Sequence, residues 1–282
     1  IIGATVVSFA TTMPEMLVSV FAALQGNADI AVGNAVGSVT ANVGLIMCVA
    51  LICMECAMTR KQFGVKACLL LAAILALFGF TRDGQLSVLE SVLILVIFVG
   101  FLVESLIAAR QEQGSELPAQ EERPKIDKKT VLLNIGKFLL GAAGIVLGAQ
   151  LLIDNGSALA RMLGVPDAVI AATMIAIGTS LPELVTTLTA IKKKQASLSV
   201  GNIIGANIMD LTLIMPLCAV IQGKPMTVER QGMLLDIPAC LIICAAALIP
   251  ALVQGKFKRW IGYLIGGLYI AYLIIMFTCF GA

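Results

Sequence analysis

TTMPEMLVSVFAALQGNADIAVGNAVGSVTANVGLI, residues 11–46, recurs 168 positions later as TSLPELVTTLTAIKKKQASLSVGNIIGANIMDLTLI, residues 179–214. The two copies align without a gap and are identical at 11 of 36 positions. Glu15 falls on Glu183, and each acid follows a proline inside an apolar segment. An acid within a membrane span is costly and marks a functional site by default. The duplication therefore predicts an ion-handling membrane protein built from two related halves.

The composition excludes most soluble classes. Hydrophobic residues make up 59% of the chain and charged residues 13%, whereas soluble domains are about half apolar and a quarter charged. There is no histidine, which excludes histidine triads and histidine metal sites. The pair Cys53-x-x-Cys56 is compatible with a redox or metal site, but no second pair accompanies it and a buried thiol is an ordinary small hydrophobe.

Apolar runs long enough to cross a bilayer, about 20 residues each, occur nine times. The predicted spans are 1–24, 30–54, 62–81, 86–108, 131–153, 165–191, 197–221, 231–253 and 259–280. The charged, proline-containing segment 109–130 lacks apolar periodicity and is predicted to be a cytoplasmic linker. It divides the chain into a first repeat, 1–108, and a second repeat, 131–282.

Basic residues predict the orientation, because cytoplasmic loops are enriched in lysine and arginine. One side is expected to carry 14 of them and the other side 4. The first group is Arg60, Lys61, Lys66, Arg110, Arg123, Lys125, Lys128, Lys129, Lys192, Lys193, Lys194, Lys256, Lys258 and Arg259, and the second is Arg82, Arg161, Lys224 and Arg230. The two Pro-Glu spans are an odd number of crossings apart, so the repeats are expected to be inverted, with the substrate near the midplane where they meet.

The duplicated segment is rich in oxygen ligands. Pro14 and Pro182 each remove a backbone donor, which frees carbonyl oxygens one turn earlier. In a membrane, such backbone persists only where it is buried in protein or lines a wet cavity. Hydroxyl, amide and carboxylate oxygens without soft ligands favour calcium over zinc or copper. A negative cluster of this kind is neutralised by one divalent ion, several monovalent ions or protons. The rival interpretation is a packing motif, since small-xxx-small patterns recur in apolar helices.

The motifs SFATTMPE (8–15), GNAVGS (33–38), GTSLPE (178–183) and GNIIGAN (201–207) resemble the two alpha-repeats of the calcium/cation antiporter superfamily, in its prokaryotic sodium/calcium exchanger branch. The resemblance implies an all-α membrane fold of two inverted repeats of five helices, with helices broken at a central ion site. The ligands that it implies are Thr11, Thr12, Glu15, Ser38, Asn42, Thr179, Ser180, Glu183 and Asp210.

The chain departs from the family pattern at a few positions. Ala206 replaces a serine that is usual in the second repeat, and Val39 stands where an asparagine often follows Ser38. Glycines at Gly33, Gly37 and their mates are expected to permit close backbone approach or a break. The mate of span 131–153 would lie before Ile1, so we expect this chain to lack the first helix of the ten-helix fold.

Secondary active antiport, exchanging sodium for calcium by alternating access, is the predicted function. The alternatives are proton/calcium or potassium-dependent exchange and, in another class, a passive cation channel, which more often places a ring of acids about one axis. No nucleophile with its base is recognisable, so no enzyme activity is expected. The expected partners are calcium ions, sodium ions and the lipid bilayer of the inner (plasma) membrane. No cofactor and no nucleic acid are expected, and the oligomeric state is left open.

The basic-residue asymmetry makes a testable prediction about topology. Cysteines introduced at Ser115 and at Lys224, in a background without accessible native thiols, should react with an impermeant maleimide from opposite sides of the membrane. Reaction of both cysteines from outside intact cells would contradict the orientation and the inversion of the repeats together.

Overall fold

The computed structural model describes residues 8–54, 56, 58–115 and 128–280, most of which are helical. A short helical turn at 8–11 precedes ten helices. These are α1 (Met13–Leu24), α2 (Ala28–Cys53), α3 (Arg60–Phe80), α4 (Val88–Ser115), α5 (Lys128–Met162), α6 (Asp167–Ile170, Ala171–Ile175 and Ala176–Thr179), α7 (Leu181–Lys192), α8 (Ala196–Gln222), α9 (Gly232–Gln254) and α10 (Arg259–Cys279).

The helices confirm an all-α membrane fold. Within the described residues, six helices are long and apolar enough to cross a membrane: α2, α3 with the turn that follows it, α4 up to Ala108, α8, α9 and α10. The bent pair α6–α7 makes a seventh if its two helices are counted as one broken span. The predicted first span is described only from residue 8 onward, and α1 accounts for its second half.

The chain bends by 50° between α6 and α7. The bend lies at Ser180, and Pro182 is at the start of α7, where its missing N–H is tolerated. A matching bend residue, Thr12, separates the turn at 8–11 from α1, with Pro14 in the first turn of the helix. Each proline therefore ends one helical segment and begins another, and the acid one residue later lies in the first turn of the second segment.

The glycines of α2 and α8 were expected to permit either close backbone approach or a break, and they do not break these helices. Both helices run unbroken through Gly37 and Gly205, and each instead widens into a π-helical segment further along, Asn42–Met47 in α2 and Asp210–Ile214 in α8. The two segments begin at positions that the sequence repeat equates. A π-helical turn accommodates an extra residue and often marks a functional site.

The glycines allow helices to approach closely. A Cβ on Gly37 would lie 2.8 Å from the backbone oxygen of Ala172 and 2.8 Å from the Cβ of Ala176, both on α6. A Cβ on Gly205 would lie 2.7 Å from the Oγ of Ser8. Contacts this short leave no room for a methyl group, so both glycines permit contact between a central helix and a bent one.

Helices α2 and α8 form the centre of the molecule. Their most apolar windows are 72% and 83% buried, against 22% for α4 at the periphery. Two short backbone pairings join the halves. Gln85–Leu86 (β1) pairs antiparallel with Met226–Thr227 (β2), and Cys56 forms a bridge with Phe257. Each pairing joins a loop of the first half to a loop of the second.

One residue and one segment differ from the sequence-based topology. Lys66, expected in a loop, lies in α3 with little exposure, and its Nζ is 3.6 Å from the Glu104 carboxylate of α4. This ion pair adds an electrostatic contact to the packing of α3 on α4. Helix α4 continues to Ser115, into the segment expected as a linker, and residues 116–127 lie outside the described part of the chain.

Gly37→Ala should lower the thermal unfolding temperature of the purified protein. The added methyl group meets backbone atoms that cannot move aside, and overpacking of this kind costs about 1–3 kcal/mol. The matched control is Gly267→Ala in α10, where nothing lies within 4 Å of the new Cβ and the helix propensity of alanine gives a small gain. Equal stability of the two variants would show that the α2–α6 contact is not tight.

Candidate ion-binding site

All nine residues of the predicted ligand set are buried, with exposed fractions of 7% or less. They lie at the two bends and on the helices that follow them, and on α2 and α8. The Ser180 hydroxyl donates to Glu15 Oε1 at 3.2 Å, which joins the second bend to the acid of the first half. The Thr11 hydroxyl of the first bend in turn lies beside the Glu183 carboxylate. Near its proline, each half therefore has a hydroxyl that contacts the acid of the other half.

Three buried carboxylates lie within electrostatic range of one another in this region. Glu15 interacts electrostatically with both Glu183 and Asp210. One Glu15 oxygen, both Glu183 oxygens and both Asp210 oxygens accept no well-formed hydrogen bond from any described residue. None of the ion pairs between described residues includes these acids. Buried carboxylates without partners are costly unless they are neutralised, so the site is built to take up cations or protons.

Neutral oxygens of the two halves cluster beside the acids. The hydroxyls of Ser38 and Thr179 are 3.3 Å apart, and they lie 3.4 Å and 3.2 Å from the backbone oxygen of Ala176. Three oxygens at these separations suit a hard cation. No group of three or more acidic or thiol side chains in the described chain is arranged to hold a metal ion. A cation here therefore depends on hydroxyl and carbonyl oxygens as well as on carboxylates, a donor set typical of calcium and not of zinc.

Thr12 and Asn42 have different surroundings from the rest of the predicted set. The Thr12 hydroxyl donates to the Ser8 backbone oxygen at 2.7 Å, which closes the turn before α1. Asn42 donates from Nδ2 to Asn207 Oδ1 at 2.9 Å and so ties α2 to α8. The remaining Asn42 Oδ1 and Asn207 Nδ2 have no partner among the described residues and stay available to a ligand or water.

The sequence-based ligand set omitted a layer of buried amides. Asn34 donates from Nδ2 to Ser19 Oγ at 2.9 Å and to the Glu15 backbone oxygen at 3.3 Å, and its Oδ1 accepts from the Thr179 hydroxyl at 3.2 Å. Its mate Asn202 accepts from Ser8. These amides hold the acid-bearing helices in place. The signal was present in the sequence as the Gly-Asn pair that both repeats share.

Asp236, another buried acid, lies apart from the site. It accepts hydrogen bonds from the Tyr272 hydroxyl at 3.0 Å and from Gln231 Nε2 at 3.2 Å. It lines a cavity of about 20 Å³ between α2 and α9 that also contacts Asp29 and Glu229. Partial burial, and then the charges of Asp29 and Asp167, raise the pKa of Glu229. Both Asp236 oxygens have a hydrogen-bond partner, whereas the carboxylate oxygens of Glu183 and Asp210 have no well-formed one among the described residues.

Acids buried among neutral oxygens, in a helical membrane protein with a duplicated core, are features of the membrane cation exchangers. The model of the family described as "Sodium/calcium exchanger protein" matches residues 1–107 and 133–278. The chain therefore belongs to the sodium/calcium exchanger family, which confirms the resemblance seen in the repeated motifs.

Individual relatives agree with this assignment. The chain is 28% identical to the sodium/calcium exchanger MaX1 of Methanosarcina acetivorans, over 98% of this chain and 88% of that one. It is 30% identical to the inner membrane protein YrbG of Escherichia coli, over 98% and 86%. A solved structure of the sodium-calcium exchanger NCX_Mj, soaked with sodium and strontium, superposes with a TM-score of 0.75 at 27% identity and covers 97% of this chain and 85% of that one.

Proposed function

We propose that this protein exchanges sodium for calcium across the inner (plasma) membrane by alternating access. The observation that carries the proposal is the pair of buried acids Glu15 and Glu183, which lie at matched bends and lack any basic partner among the described residues. The proposed ligands are the nine residues of the predicted set, with Glu15 and Glu183 shared by both ions.

Charge balance favours exchange over leak. Glu15 and Glu183 together balance one calcium ion or two sodium ions, and Asp210 adds one further negative charge. An empty site leaves these charges buried and unpaired, which is unfavourable. The protein is therefore expected to change conformation with ions bound, so that movement of one ion species outward requires movement of another inward.

A duplicated core also supports alternating access. In transporters with inverted repeats, one bundle rocks against another around a fixed central site. Here the contacts Ser180–Glu15 and Ser38–Thr179 cross between the halves, so relative movement of the halves would remake the ligand set. A passive channel needs no such rearrangement.

Flux measurements on the purified protein in liposomes test the proposal. Calcium uptake should require an outward sodium gradient, and it should persist when a protonophore or a potassium ionophore dissipates the other gradients. Uptake driven only by a proton or potassium gradient would reassign the coupling ion. Calcium flux that needs no counter-ion would instead identify a channel.

Glu15→Gln and Glu183→Gln should each abolish sodium-driven calcium uptake, because each removes one of the few charges that offset calcium desolvation. The shape of the side chain is kept, so membrane insertion should be unchanged. Glu229→Gln, at an exposed acid outside the central site, is the matched control and should transport like the parent. A Glu15 or Glu183 variant with near-parental uptake would show that the residue does not bind calcium directly.

Asp210→Asn should be tolerated better than either change at the glutamates. Its mate in the first repeat is the neutral Asn42, and the two glutamates already balance one calcium ion, so the Asp210 charge is in excess when calcium is bound. The variant should keep calcium uptake but change its dependence on pH and on sodium concentration. Calcium uptake by the parent and the variant across a pH series measures this, and loss of uptake at every pH would make Asp210 an obligate charged ligand.

A further inference from the structure

The same helix contact occurs in both repeats, between a central helix and a bent segment. In one repeat the central helix carries a serine hydroxyl there, and in the other repeat the bent segment carries it. In the first half, Ser38 of α2 reaches the backbone oxygen of Ala176 in α6. The sequence repeat equates Ser38 with Ala206 and Ala176 with Ser8. At the second contact, α8 therefore has no hydroxyl because it carries Ala206. The hydroxyl there belongs to Ser8, in the turn that α8 packs against.

Packing shows that Ser8 and Ala176 occupy equivalent places. A Cβ on Gly37 would lie 2.8 Å from the Ala176 Cβ, and a Cβ on Gly205 would lie 3.3 Å from the Ser8 Cβ. Each glycine precedes position 38 or 206 by one residue. The exchange of serine and alanine is therefore an exchange at one structural position, and it follows from the geometry as well as from the alignment.

The Ser8 hydroxyl changes what the neighbouring threonine does. In the first-half amide layer, Asn34 Oδ1 accepts from the Thr179 hydroxyl at 3.2 Å. The equivalent oxygen, Asn202 Oδ1, accepts from Ser8 at 2.9 Å, and the Ser8 Oγ also lies 3.1 Å from the Asn202 backbone oxygen. The mate of Thr179 is Thr11, and its hydroxyl donates instead to the Ser8 backbone oxygen at 3.2 Å and lies beside Glu183.

We infer that Ser8 is a positioning residue for the ion site. By taking the Asn202 side chain as its partner, its hydroxyl lets Thr11 stay on the Ser8 backbone oxygen and beside Glu183, where the Thr11 oxygen can serve the ion. The inference rests on the proposed function, because it assigns Thr11 to the ion.

Without the Ser8 hydroxyl, Asn202 Oδ1 loses its donor. In the other half, the donor to Asn34 is Thr179, whose mate is Thr11. A buried amide oxygen without a donor is unfavourable, so the Thr11 side chain should rotate towards Asn202. Rotation takes an oxygen away from Glu183. The affinity for sodium, which has a single charge, should fall more on loss of a neutral oxygen than the affinity for calcium, which is held chiefly by carboxylates.

The experiment is a titration of thermal unfolding in detergent, since a ligand that binds the native state stabilises it by RT ln(1 + [L]/Kd). In Ser8→Ala, the sodium dissociation constant fitted from this titration should rise about three- to tenfold, the equivalent of one hydrogen bond. Ser8→Cys, with a weak donor of similar shape, should fall between Ser8→Ala and the parent. A lower unfolding temperature with an unchanged sodium dependence would overturn the inference, because that is the result of a purely structural role.

A double variant tests the route of the effect. Thr11→Val should weaken sodium binding in the parent but add little in Ser8→Ala, where Thr11 has already turned away; additive effects would overturn the inference.

The design separates this inference from the proposed function. The parent is first titrated with sodium, potassium and calcium, and the Ser8 variants are compared with whichever monovalent ion stabilises it. A response to potassium alone would contradict sodium as the coupling ion. The Ser8 and Thr11 variants would then be compared with potassium, and that comparison would still support or overturn the inference. A parent that responds to neither monovalent ion would contradict both.

Discussion

The burial of Glu15 and Glu183 without a basic partner is the constraint on which the rest of this structure depends. A carboxylate removed from water must gain hydrogen bonds, a cation or a proton. In the described part of the chain, the only well-formed hydrogen bond from another side chain to either carboxylate comes from Ser180. The prolines, the amide layer and the glycine contacts together hold these two acids in the buried centre of the protein.

The central helices are adapted to this task. Gly37 and Gly205 let α2 and α8 approach the bent segments so closely that a methyl group would collide with backbone or with Ser8. Asn34 then fixes α1 to α2 through Ser19 and the Glu15 backbone. The π-helical segments begin at Asn42 and Asp210. Small residues bring the helices together, and amides determine how they are rotated.

The repeats share a scaffold but differ in chemistry. Asn42 aligns with Asp210, and Ser38 aligns with Ala206. A perfectly duplicated site would have two equal lobes, whereas this one has an extra charge on one side and a displaced hydroxyl on the same side. The two halves of the site are therefore not chemically equivalent, although their helices follow the same plan.

Much of this was available from the sequence. The acids, the prolines beside them and the long apolar runs predicted a duplicated helical membrane protein, and the family assignment and the helices agree. Where the sequence left alternatives or failed, the reason is specific. The glycines were expected to permit close approach or a break, and the packing of helices uses Gly37 and Gly205 for close approach. Lys66 was expected in a loop, but it lies in α3, where Glu104 of α4 is close enough to pair with it.

The sequence by itself determined the repeat, the spans and which side chains carry oxygen, because these follow from residue type and local spacing. Only the tertiary structure decided which oxygens meet. Ser38 contacts Thr179 and Ser8 contacts Asn202 between segments far apart in the chain, and no periodicity encodes such a pair. The exchange of serine and alanine between positions 8 and 176 has meaning only once Gly37 and Gly205 are seen to face them. Contacts between helices depend on how the helices are rotated and how closely they approach, and both are set by the packing of the whole molecule.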